Sequence, residues 1–139
     1  MNVLDALRTR RSVRSYAAKP IPAEVMERMR QALRLAPSAC NLQPWRFILV
    51  TDLDLKRKLV AAAHGQEFIA EAPVIVVGCG LIDQAYKSMG GSWSSVEVDV
   101  TIALDHLSLA AADEGLGTCW IGAFQEAEVK KLLAIPNNA

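Results

Sequence analysis

Cysteine is scarce in this sequence. Cys40, Cys79 and Cys119 are the only three in 139 residues. They are odd in number, widely separated and without a CxxC pair, so they offer neither a disulfide framework nor a zinc site and fit a reducing cytoplasm. Net charge is also lacking. Fifteen basic residues balance fifteen acidic ones, so no global field draws the chain to nucleic acid or to an anionic membrane, and any anion must be held locally. No apolar run approaches a membrane span, and charges interrupt Met1 to Arg14 where a signal peptide would need its apolar core. A protein neither exported nor embedded is expected. His64 and His106 lack the clustered partners of a metal site or a nucleophilic triad. Asp99 and Asp105 lack the paired arrangement of glycoside hydrolysis.

What is present is an ordinary globular composition, with 52% hydrophobic and 22% charged residues. In so short a chain a mean hydropathy of +0.19 predicts that part of the apolar surface is covered by a partner. Asn2 can cap a first helix with Val3, Leu4 and Leu7 on one face, followed by a basic turn. Val25, Met26, Met29, Leu33 and Ala36 form a buried helical stripe that ends at Pro37. Phe47 to Thr51 is a strand by its β-branched and aromatic content, and Asp52 or Asp54 can cap a helix over Leu55 to Ala63. The unbroken apolar run Val74 to Gly80 predicts a second strand covered on both faces. Gly90 to Ser95 is an exposed loop. A long helix follows from about Val96 to Glu114, with Val100, Ala103, Leu107, Ala110 and Ala111 at helical spacing and Gly115 and Gly117 to stop it. Thr118 to Ile121 is predicted as a third strand and Gln125 to Leu133 as a last helix. The order favours one mixed domain over residues 1–139.

Three segments carry candidate chemistry. In Arg10-Arg11-Ser12-Val13-Arg14 three guanidiniums and a hydroxyl at a helix end can converge on one phosphate. On these residues alone a solvated basic turn is the more economical reading. In Pro37-Ser38-Ala39-Cys40-Asn41-Leu42-Gln43-Pro44-Trp45 two prolines bracket amides that can match the pyrimidine edge of a flavin, although an ordinary hydrogen-bonded turn uses the same residues. In Gly115-Leu116-Gly117-Thr118-Cys119-Trp120-Ile121-Gly122 glycines permit close backbone approach to a flat ligand and Trp120 offers a stacking face. A plain helix stop before a core strand fits that segment equally, and its spacing is not the GxGxxG of a dinucleotide fold.

Taken jointly and in order, these segments resemble the nitroreductase family. Arg10 to Tyr16 is similar to the family's phosphate-binding R-R-S-V-R-x-[FY]. Ala36 to Trp45 is similar to its A-P-S-x-x-N-x-Q-P-W loop. Asp99 to Gly122 resembles its central dimer helix and the strand behind the flavin. The resemblance implies an α+β fold, a three-layer α/β/α sandwich with a mixed, mostly antiparallel sheet and a long central helix at a homodimer interface. It implies FMN as cofactor and NAD(P)H as co-substrate. Arg10, Arg11, Ser12 and Arg14 would hold the phosphate and ribityl end. Pro37, Ser38, Asn41 and Gln43 would meet the ring, in part from the other subunit. The backbone around Ile121 and Gly122 would face flavin N5, with Trp120 also among the cofactor-binding residues and no side-chain acid or base. Hydride would pass to a small electron-poor acceptor, a nitroaromatic or quinone, in ping-pong fashion. A flavin-dependent dehalogenase or dehydrogenase of the same family, or a flavin-binding module without fast turnover, are the alternatives. The family continues past its last matched helix with a further strand and an arm around the partner, so a C-terminally short domain is expected.

Overall fold

The computed structural model describes residues 1–139. Helix α1 (Val3–Thr9) opens where Asn2 accepts a hydrogen bond from the Asp5 backbone N–H at 3.0 Å. Helix α2 (Ala23–Arg34) follows Pro22. Strand β1 (Trp45–Val50) leads into α3 (Leu53–Ala62), and it is Asp52, not Asp54, that caps this helix, accepting from Leu55 N–H at 2.8 Å. A short α4 (Phe68–Glu71), which sequence periodicity does not reveal, precedes β2 (Ile75–Gly80). The long α5 (Val96–Asp113) and α6 (Glu126–Leu133) complete the chain.

The two strands pair antiparallel from Trp45 opposite Gly80 to Val50 opposite Ile75. Side chains alternate across this two-stranded hairpin, whose connection carries α3 and α4, so its two faces bury different helices. On one face Trp45, Phe47 and Val76 meet Leu33 and Ala36 at the end of α2 and Ala103, Val100 and Leu104 of α5. On the other, Val50, Ile48, Ile75 and Val77 meet Leu59 and Ala62 of α3 and Val129 of α6. The result is the expected three-layer arrangement of helices, sheet and helices. Gly78 and Gly80 make the α5 contact possible, because a Cβ on either would lie 2.8 Å from Val100 Cγ1 and 2.5 Å from Val96 Cγ2. Lys56 is buried on α3, and its Nζ donates to the Ala72 carbonyl at 2.7 Å, joining α3 to the residue that enters β2.

Two expectations change. Thr118 to Ile121 is not a strand: only Thr118 pairs, in a single parallel bridge to Ser12, because no neighbouring strand extends beside it. Helices cover both faces of β2, yet Cys79 alone is buried there, since each strand has one hydrogen-bonded neighbour and one open edge. The apolar face of α1 is real but uncovered. Ala6 turns inward, whereas Val3, Leu4 and Leu7 are exposed. No helix is long and apolar enough to cross a membrane.

Candidate active site

The first and third candidate segments meet. Val13 N–H donates to the Thr118 carbonyl at 2.9 Å, and the approach is so close that a Cβ on Gly117 would fall 2.9 Å from Val13 Cβ. Only glycine fits here against the Val13 side chain. Tyr16 braces the basic segment from the other side. Its hydroxyl donates to the Val13 carbonyl at 2.7 Å, and its backbone N–H donates to Glu71 Oε2 at 3.2 Å. Burial pushes the Tyr16 phenol above its usual value, with the Cys119 thiol adding to the shift and Arg14 opposing it. The phenol is thus held neutral as a donor.

The charges on this segment have no partners within the chain. Arg8, Arg28, Arg30, Arg34 and Arg57 each pair with a carboxylate, but Arg10, Arg11 and Arg14 do not. Just beyond the bridge, no backbone N–H from Cys119 to Phe124 donates to another residue of the chain. Trp120 stands there with 47% of its surface exposed. Ile121 tucks back against Val60, Ala63 and Ile69, and Gln66 Nε2 donates to the Ala123 carbonyl at 3.1 Å. The third segment is therefore anchored at both ends of a stretch of free donors.

The second segment lies elsewhere. Leu81 N–H donates to the Pro44 carbonyl at 2.8 Å, which fixes the Ser38–Gln43 loop at the Trp45–Gly80 end of the hairpin. Ile121 packs near Ile75, at the opposite end. The two ends are roughly 17 Å apart along a six-residue strand. Within one chain, Ser38, Asn41 and Gln43 are therefore not brought together with Arg10–Arg14 or with Trp120–Gly122. Cys40, Asn41 and Gln43 all have φ between 51° and 53°. Such left-handed geometry costs about 1–3 kcal/mol at a residue other than glycine, so bonds must hold it. Ser38 Oγ accepts from Gln43 N–H at 2.9 Å. Ala39 N–H donates to Asp99 Oδ1 at 2.9 Å, and Ser95 Oγ donates to Asp99 Oδ2 at 2.6 Å. Asp99 lies outside all three candidate segments, and its residue type alone does not tie it to this loop. The signal in the sequence is a second acid beside Glu97 in the first turn of α5.

Next to this loop, Met89 and Trp93 close the tight Gly90–Gly91 turn, which projects an exposed Trp93 and leads through Ser95 into α5. The Arg28 guanidinium binds the Glu114 carboxylate through two nitrogens and ties α2 to the end of α5, holding the acid below and the base above their usual values.

Comparison with known proteins gives the same grouping. The profile of the nitroreductase family matches residues 7–73 and 61–139. A protein of Thermus thermophilus named NADH dehydrogenase is 32% identical, over 99% of this chain and 82% of its own length. The crystal structure of a nitroreductase family protein from Clostridium difficile 630 superposes with a TM-score of 0.90 at 27% identity, covering 99% of this chain and 78% of that one. An FMN-dependent nitroreductase from Clostridium difficile R20291 superposes with a TM-score of 0.84 at 26% identity, over 97% and 80% of the two chains. With matches that span both helical layers, the hairpin and all three candidate segments, the chain belongs to the nitroreductase family.

Proposed function

We propose that this protein is a homodimeric oxidoreductase that binds FMN and uses NAD(P)H to reduce a small electron-poor acceptor. The observation that carries the reading is the Ser12–Thr118 bridge. It sets three guanidiniums without acidic partners beside a run of free backbone N–H groups and an exposed indole. That donor set fits a flavin mononucleotide: cationic forks suit the phosphate dianion, free amides suit the polar edge of the ring, and the indole suits its flat face. When bound, FMN would supply the redox chemistry, taking hydride from the nicotinamide and passing it to a nitroaromatic or a quinone. Arg10, Arg11, Ser12 and Arg14 would bind the phosphate end. Backbone N–H groups at Ile121 and Gly122 would orient the ring.

Ser38, Asn41 and Gln43 would complete the site from the second subunit, since their loop lies at the far end of the hairpin in their own. Surface area supports the dimer. The chain exposes 8424 Å², against about 7,100 Å² for a compact monomer of its mass. The excess is apolar in part, with Val3, Leu4 and Leu7 of α1 and Leu35 after α2 all exposed. An isologous interface would cover such faces twice over.

One pocket without a second dinucleotide fingerprint would serve nicotinamide and acceptor in turn, which is ping-pong kinetics. The test is stepwise. FMN is expected to bind more tightly than riboflavin and to bleach anaerobically with NADH or NADPH, and double-reciprocal plots with an acceptor series are expected to be parallel. Equal affinity for both flavins would overturn the phosphate assignment, and intersecting lines would overturn the shared pocket. Bound flavin that neither nicotinamide reduces would leave a flavin-binding module in place of an enzyme.

A further inference from the structure

We infer that Asp99 is a positioning residue for flavin binding: from the first turn of α5 its carboxylate latches the Ser38–Gln43 loop in the shape that receives the ring. The inference rests on the flavin reading above and extends it to a residue outside the three candidate segments. Asp99 is 2% exposed and Ser95 is fully buried. A carboxylate out of water is costly unless paired or hydrogen-bonded, and this one has no cation within ion-pair distance. Its partners are two neutral donors, Ala39 N–H on Oδ1 and Ser95 O–H on Oδ2. An alanine at this position would avoid the desolvation altogether. The carboxylate is thus explained by what it holds.

What it holds is the start of the strained loop. Ala39 N–H is the one amide between Ser38 and Asn41 that bonds outside the loop, because Asn41 N–H returns to the Ser38 carbonyl and Cys40 N–H donates to nothing in the chain. The left-handed residues Cys40, Asn41 and Gln43 follow at once. With the latch closed, the loop is pre-formed and a ligand meets it without having to order it. With the latch open, ordering would be charged against ring binding and against nothing at the phosphate end. Asp99 therefore acts through Ala39 and touches no ligand itself.

The experiment compares wild type, Asp99→Ala and Asp99→Asn by titration with FMN and with riboflavin, alongside amide hydrogen exchange of the flavin-free protein. Asp99→Ala is expected to weaken both flavins by about ten-fold or more, leaving the ratio of the two affinities unchanged. Asp99→Asn is expected to recover most of that loss, since its amide oxygen still accepts from Ala39 and its NH₂ can donate to Ser95 Oγ. In wild type the Ala39 amide is expected to exchange far more slowly than that of Cys40. Loss of thermal stability in Asp99→Ala with both affinities intact would overturn the positioning role. So would a change confined to FMN, or equal exchange at Ala39 and Cys40, a measurement that needs no variant to fold. Wild type that binds neither flavin would instead overturn the proposed function, leaving the Ala39 protection to be read independently.

Discussion

The two halves of the candidate site are built on opposite principles. The Arg10–Arg14 half is rich in charge and poor in internal bonds: three guanidiniums without carboxylate partners, one backbone bridge to Thr118 and a single phenol as brace. The Ser38–Gln43 half has no charge of its own. It is bonded internally through Ser38 and externally through a buried acid, in a backbone shape that relaxed chains avoid. The first can supply attraction and the second geometry. A ligand with an anionic end and a flat polar end needs both. The structure separates them by the length of the hairpin, so a second subunit is the natural way to join them.

The sharpest way to break the first half is at the crossing of its two backbones. Gly117→Val would put branched carbon where Val13 already stands, at a separation no real Cβ tolerates. Overpacking of this kind costs about 1–3 kcal/mol. The cost falls on the bridge that aligns the arginines with the free N–H groups. FMN affinity is expected to drop by up to about a hundred-fold with the hairpin and α5 intact, as read by titration and circular dichroism. A Gly117→Val protein with unchanged FMN affinity would mean that the bridge does not organise the site.

Arg14→Ala sharpens the comparison, because it removes charge and leaves geometry alone. Losing one charged hydrogen bond, about 1.5–3 kcal/mol, is expected to weaken FMN about ten-fold or more while riboflavin is unaffected. The affinity ratio thus moves, whereas Asp99→Ala is expected to leave it unchanged. If Arg14→Ala lowers both flavins alike, the division of labour between the two halves is wrong.

How much of this could be read from sequence differs along the same line. Helix caps were legible because the capping side chain is itself the signal, and Asn2 and Asp52 both cap as their residue type requires. Strands β1 and β2 were legible from their β-branched runs, and the long α5 from its spacing and its glycine stop. Periodicity identified the apolar face of α1 but could not tell whether that face is covered, because burial depends on a neighbour. The same holds for Thr118 to Ile121, whose composition is strand-like but which has only Ser12 beside it. Within the site, the residue types of the basic cluster announced a capacity for phosphate. The meeting of Ser12 with Thr118 across almost the whole chain announced nothing. Left-handed Cys40 and Gln43 were illegible for a plain reason: neither residue type prefers that conformation, and Asp99, which helps to hold it, lies on another element.

The smallest expected effect concerns Tyr16, which links charge to geometry within the first half. Its hydroxyl donates to the Val13 carbonyl, one residue from the Ser12 bridge, and a neutral hydrogen bond of this kind is worth about 1 kcal/mol. Tyr16→Phe is therefore expected to weaken FMN only several-fold and to leave the fold in place. The pH dependence supplies the more telling readout. Burial is the main cause that raises the phenol above its ordinary value, so folding favours the neutral form relative to the unfolded chain. A raised pKa of this kind leaves the contribution intact below the unfolded value, about 10. Stability is lost as pH rises through the higher folded value. Wild type should accordingly lose thermal stability more steeply than Tyr16→Phe at alkaline pH, with the two curves parallel below it. Parallel curves throughout would show that burial does not hold the phenol neutral.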